Sequence, residues 1–187
     1  FRTNPGGLGT ALMALRARGV DLNAPLDDQL PLYDALLTER TFLVRGLMDA
    51  GVDPMAASPR GIPLFWEAVA WNELKAVKAM LESSHVDPAW VNEAGKNALH
   101  LAASNGSIAM MEVLVRAGVD PFASDAEGKT PADVLFRQWA SHAVPKHAQN
   151  YHLFLSQLPE LRAPVLKEKL ETQWQSIPVP SRSGPRF

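Results

Sequence analysis

Ala50-Gly51-Val52-Asp53-Pro54 and Ala117-Gly118-Val119-Asp120-Pro121 spell the same five residues. A catalytic motif is seldom written twice in a short chain, whereas a structural stop often is. The Val-Asp pair inside the pentapeptide also occurs at Val20-Asp21, after Gly19, and at Val86-Asp87. Successive copies are 32, 34 and 33 residues apart. Downstream of each lies a second mark: LPLYDAL (30–36), GIPLFWEAV (61–69), GKNALHLAA (95–103) and GKTPADVL (128–135). Each of these is a turn followed by the start of a helix. A period near 33 with two marks per unit is the signature of a repeat architecture.

Between the marks, apolar residues step by three and four. Leu74, Val77 and Leu81 fall on one helical face of the second unit, and Met111, Leu114 and Val115 on one face of the third. Each unit therefore reads as turn, helix, turn, helix. Neither helix buries its apolar face alone, so the core must come from stacking units on one another. The pentapeptide then marks the end of a unit. Gly51 and Gly118 close the second helix with a positive φ that glycine adopts without steric cost. The valine is expected under the stack, and the aspartate is expected to hydrogen-bond the turning backbone. Pro54, Pro88 and Pro121 bar further helix, which accounts for part of the fifteen prolines.

The pattern resembles the ankyrin repeat, a unit of about 33 residues with a Thr-Pro-Leu-His signature. The third unit carries it best, in Gly95-Lys96-Asn97-Ala98-Leu99-His100-Leu101-Ala102-Ala103, then Asn105-Gly106, Val113-Leu114 and Ala117-Gly118-Val119-Asp120. The fourth opens on Gly128-Lys129-Thr130-Pro131. Residues 12–136 are covered. The second unit departs from the pattern: Phe65 and Trp66 take the leucine and histidine places, and Ser83-Ser84-His85 replaces the closing glycine with an extra residue. In the first, Asp28 or Gln29 stands where glycine is expected and the finger is one residue short. Leu12 to Arg18 reads as the closing helix of an earlier unit. The resemblance implies an all-α solenoid of helix-turn-helix units with extended fingers, and places His100 in a hydrogen bond between neighbouring loops.

Beyond Trp139 the pattern loosens. Tyr151, Phe154, Leu155 and Leu158 give an apolar face to a second helix of the last unit, which Pro159 stops. Leu166, Leu170 and Trp174 predict one more amphipathic helix, capping the open end of the stack. The tail after it is rich in proline. The organisation expected is an N-terminal segment with a partial capping repeat (1–18), about four repeats (19–158), and a C-terminal helix with a Pro-rich tail (159–187).

The chain has 187 residues, 47% of them hydrophobic, enough for a core, and no cysteine, which removes disulfides and thiolate metal sites. No run of about 18 apolar residues is present, so no membrane span is expected. The first residue is Phe rather than Met, which points to a fragment or processed form. Charge is uneven: +3 over residues 1–18, −9 over 19–133 and +4 over 134–187. An acidic middle lacks the basic footprint that nucleic acid requires and suits a basic protein partner.

Chemistry is hard to place. His142, His147 and His152 are spaced by five, which does not align ligands on a helix. His100 and Ser104 share a face, but His100 fills the signature position and no nucleophile elbow presents a serine. Glu67 and Glu73 are six apart and do not converge. NPGGLG (4–9) lacks the Lys-Ser/Thr ending of a phosphate loop. No enzyme and no cofactor are expected.

What remains is surface. The resemblance implies contact through the fingers and through the inner helices on a concave face. In register, the inner-helix positions are Leu37 and Thr38, Ala70 and Trp71, Ser104 and Asn105, Arg137 and Gln138. The finger positions are Asp27, Asp28, Arg60, Ile62, Glu93, Lys96, Glu127 and Lys129. Trp71 is the sharpest candidate, because a concave aromatic is the kind of anchor that dominates interfaces. Its alternative is a tryptophan folded onto Trp66 or Trp90 to cover the stack, and those two are kept in the candidate surface with it. Asp27, Asp28, Glu93 and Glu127 could form an acidic ridge. The expectation is a non-catalytic module, monomeric alone, that binds a protein, with a basic toxin or enzyme as the concrete partner. The Ala-, Leu- and Arg-rich wording has a bacterial cast, which suggests an immunity protein. A secreted effector binding host proteins and a regulatory domain of a larger enzyme stand as alternatives.

Overall fold

The computed structural model describes residues 5–25, 29–83 and 85–142. The chain divides after Ala143, and every described residue lies in the first unit of that division. Eight helices follow in order: α1 (Pro5–Ala17), α2 (Pro31–Leu37), α3 (Thr41–Asp49), α4 (Leu64–Ala70), α5 (Leu74–Glu82), α6 (Ala98–Ser104), α7 (Ile108–Arg116) and α8 (Pro131–His142). The helices expected over 150–158 and around 166–174 lie outside the described residues.

The contacts sort these helices into two layers. α2, α4, α6 and α8 touch in sequence along an inner row, and α1, α3, α5 and α7 along an outer one. Consecutive members pair across the layers as α2 with α3, α4 with α5 and α6 with α7. Helix α1 joins the outer row against α3, in the position that α3 takes against α5. The inner helices α2, α4 and α6 have seven residues each, two turns, too short to hold in water by themselves. Tertiary burial makes them helical. Ala35, Ala68, Ala102 and Ala103 are wholly buried and let neighbouring backbones approach closely. The outer row contributes Val44, Leu47, Val77, Met80, Met110 and Leu114, each at most 1% exposed. In α5 the buried face is Ala76, Val77, Ala79 and Met80, with Leu74 and Leu81 at its half-buried margins. The spacing-based face was rotated by part of a turn.

The pentapeptide does what its residues dictate. Gly51 and Gly118 have φ of 75° and 93°, with Gly19 at 85°. Val52 N–H donates back to Leu47 O and Gly51 N–H to Met48 O, and the same pair of bonds closes α7 through Val119 and Gly118 and α1 through Val20 and Gly19. In all four units the aspartate carboxylate accepts the backbone N–H two residues on: Asp21 from Asn23, Asp53 from Met55, Asp87 from Ala89 and Asp120 from Phe122. The third copy, which lacks glycine, ends α5 by a different device, a Ser83 hydroxyl donating to Met80 O. Val52 and Val119 are buried at 2% exposure, but Val20 is 36% exposed and Leu22 takes the buried place in its stead. Arg16 of α1 donates to the carbonyl of Ala50, tying the partial repeat to the end of the first full one.

Between inner and outer helix the chain needs one left-handed residue. Unit three supplies Gly106 (φ 66°), whereas units one and two place Glu39 (φ 53°) and Asn72 (φ 59°) there. A side chain in that region costs about 1 kcal/mol, least for asparagine. Glu39→Gly is therefore expected to raise stability by about 0.5 kcal/mol, a gain trimmed by the freer unfolded glycine chain. Gly51→Ala is expected to lower it by about 1–2 kcal/mol, because its Cβ is strained at φ 75° and also meets the Arg16 guanidinium. Urea midpoints of the two variants should move in opposite directions.

Candidate protein interface

The third residue of each inner helix is Tyr33, Trp66, His100 and Asp133. The first three all reach forward into the next unit, each by different chemistry. Tyr33 packs on Trp71, with ring centroids 5.8 Å apart and planes tilted by 50°. Trp66 meets Trp90 of the following finger edge-on at 4.8 Å. His100 bonds through Nε2 to the carbonyl of Lys129 at 2.9 Å. A carbonyl can only accept, so Nε2 carries the proton, and Nδ1 then accepts Asn97 N–H at 3.2 Å. Asn97 completes a capping box by accepting His100 N–H and stitches the next turn by donating to Asp120 O. His100 is 1% exposed, and burial holds its pKa below the ordinary 6.5. Asp133 closes its own box with Thr130.

The fingers share one tip. Residues 58, 92 and 125 each donate N–H to the carbonyl four residues on, with a positive-φ glycine between. Asn92 and Asp125 accept two backbone N–H groups with a single side-chain oxygen. Ser58 in the same place accepts Arg60 N–H and still has a proton to give, and it gives it to Glu67 Oε1 at 2.9 Å. The other carboxylate oxygen takes Arg60 Nη2 at 2.5 Å. Glu67 is wholly buried, where the third and fourth units carry Leu101 and Val134. A charge taken out of water needs a partner, and Arg60 supplies it from the surface, with 58% of its side chain exposed. The same guanidinium lies 5.6 Å from the centre of the Trp71 ring. Trp71, the residue ending α4, thus contacts both Tyr33 and Arg60 and stays partly exposed.

The expected contact residues divide accordingly. Trp71 and Ala70 are half-buried on the inner-helix face, with Leu37, Thr38, Ser104, Asn105 and Arg137 exposed along the same row of helix ends. Asn105 turns back and donates to Val69 O and Ala70 O, joining α6 to α4. Trp66, at 7% exposure, belongs to the core and offers a partner almost no surface, while Trp90 is half-buried above it. Trp71 touches neither; its cover is Tyr33 and Arg60. In the fingers, Arg60 and Glu93 are exposed and Ile62 and Lys96 half-buried. Lys129 pairs with Glu127 inside one finger, which weakens the acidic ridge at that point. Asp27 and Asp28 lie outside the described residues, as does the Gln138 side chain. Tyr33 and Glu67 are what spacing alone missed. The available signal was an acidic residue in a repeat position that is apolar in the third and fourth units, though the first carries Asp34 there.

Ser104 donates to Leu101 O rather than to His100, so the two do not form a nucleophile and base. Among the described residues no group of three or more acidic or histidine side chains could hold a metal ion, and no helix is long and apolar enough to cross a membrane.

Known proteins agree with this architecture. A family model described as Ankyrin repeats (many copies) matches residues 80–135. The chain is 32% identical over 125 residues to the B-cell lymphoma 3 protein homolog of Mus musculus, an alignment that covers 65% of this chain and 28% of that protein. The chain therefore spans under a third of the length of the relative it matches.

Two measurements test the described geometry. The neutral ring is favoured in the fold, so the contribution of His100 is complete above pH 6.5 and falls away as acid protonates the unfolded chain first. Urea stability should therefore drop from pH 7.5 to 5.5, and His100→Gln should reduce that drop while lowering stability at pH 7.5. Arg60→Ala should cost about 1–3 kcal/mol by leaving a buried carboxylate short of its cation. The double variant Arg60→Met, Glu67→Leu should recover most of that loss in thermal unfolding.

Proposed function

We propose, from the premise that this chain is built of ankyrin repeats, that it binds a partner protein through its inner-helix face with Trp71 at the centre. Ankyrin repeats are protein-interaction modules, typically without catalysis of their own. The observation that carries the proposal is the setting of Trp71. It ends the second inner helix, keeps part of its ring exposed, and is in contact with both Tyr33 and Arg60. A braced aromatic loses little side-chain entropy on binding, which is what makes such residues anchors. Leu37, 50% exposed, and Asn105 extend the surface to either side.

The partner we propose is basic overall. Residues 19–133 carry a net charge of −9, and Glu93 in the third finger makes no ion pair among the described residues. A charge of that size steers encounter with a positive surface and disfavours nucleic acid. Neutralisation of a basic toxin or enzyme by one-to-one capping is the concrete form of this proposal.

Capture with the intact chain and sequencing of what it holds supplies a partner. Trp71→Asp should then weaken that partner by about 30-fold or more in calorimetry while leaving the melting curve cooperative. Binding unchanged by Trp71→Asp would sink the inner-helix face as the interface. Raising salt should slow association more than it speeds dissociation.

A further inference from the structure

We infer that Arg60 is a pre-positioned carboxylate receptor, and that the partner segment seated on Trp71 carries one Asp or Glu side chain beside an apolar residue. The inference rests on the inner-helix reading of the interface and adds the local chemistry of its centre.

The pair Glu67–Arg60 is poorly explained by stability. The third and fourth units carry the half-buried Leu101 and Val134 in the equivalent place, and the first carries Asp34. Replacing a buried ion pair with apolar residues is often neutral or stabilising. What the pair does achieve is placement. Both oxygens of Glu67 are engaged below the surface, by Ser58 and Arg60, so the carboxylate is fixed and it fixes the guanidinium in turn. The side chain of Arg60 is 58% exposed, that of Glu67 not at all. Two other surface arginines differ: Arg45 meets the exposed Asp49 and Glu82, and Arg116 meets Glu112. Their charge is answered at the surface. The counter-charge of Arg60 lies underneath, so the surface presents donors.

Those donors are mostly unused. A guanidinium has five N–H groups, and Glu67 is the one acceptor that meets Arg60 among the described residues. The hydroxyl of Tyr33, whose ring packs on Trp71, likewise has no hydrogen-bond partner among them. An indole flanked by free donors suits a planar, acceptor-only group on an apolar stem, which is a carboxylate side chain. Fixing Arg60 in advance removes much of the entropy such a bond would otherwise cost. Within a sector of net charge −9 this braced guanidinium also sets register: a basic partner docks productively where its own acidic residue falls on Arg60.

The test is selection of random dodecapeptides on the intact chain, followed by calorimetry with the enriched sequences. Enriched peptides should carry Asp or Glu next to an apolar residue. Changing that residue to its amide should weaken binding about ten-fold on the native chain and little on Arg60→Lys, which keeps a cation for Glu67 but loses the fork. Unchanged melting of Arg60→Lys establishes that the fold is intact, and the Arg60→Met, Glu67→Leu pair gives the same comparison if it is not. Peptides that need Trp71 but are indifferent to Arg60 would overturn the carboxylate receptor and leave the inner-helix interface standing. Peptides indifferent to both Arg60→Lys and Trp71→Ala, or a selection that enriches nothing, would overturn both. Dependence on a free C-terminus rather than an internal acidic residue would overturn the side-chain assignment.

Discussion

Everything in this stack depends on how one unit is joined to the next, and in the first three units the third residue of the inner helix makes a joint. An inner helix of two turns has no independent stability, so each unit must be held by its neighbour. His100 makes the joint by hydrogen bonding to Lys129 O, Trp66 by packing on Trp90, and Tyr33 by packing on Trp71. The same place in the repeat thus solves one mechanical problem with a polar bond in the third unit and with aromatic area in the first two. The polar solution brings pH sensitivity, since the ring must stay neutral to accept Asn97 N–H. The aromatic solutions do not.

The switch from histidine to aromatic residues has a consequence at the surface. A histidine joint hides itself: His100 is 1% exposed. The Tyr33 joint instead recruits Trp71, whose ring remains partly open on the inner-helix face. Arg60 then lies over that ring and is tethered from below by Glu67. Structural stitching and candidate interface are therefore the same atoms in the first two units. The third unit, closest to the repeat pattern, contributes mostly exposed polar groups such as Ser104 and Asn105. Recognition would be concentrated where the repeat departs from its own rule, consistent with function residing in sites grafted on a common frame.

Much of the fold was legible in the spacing of a few marks. Val-Asp at 32, 34 and 33 residues predicted the units, and the four Asx turns and the Gly51 and Gly118 helix ends followed from what aspartate and glycine do to a backbone. The rotated face of α5 and the exposed Val20 show where period reasoning loses precision: which flank of an amphipathic helix is covered depends on what packs against it. The candidate surface was legible in part. Register named Trp71 and Arg60 as candidates and the structure leaves both accessible, whereas Trp66 lies in the core with Trp90 of the next finger over it.

Sequence alone determined the unit length, the layer order and the ends of the outer helices, because these are local consequences of glycine, proline and aspartate in a fixed period. Only the tertiary structure decided which side chains across units meet. Glu67 looks like a surface acid in sequence and is wholly buried in the fold. Its reach to Ser58 and Arg60 spans the finger turn, and the contact of Trp71 with Tyr33 spans two units. Burial and charge pairing are properties of neighbours in space, and those neighbours are fixed only when the units stack.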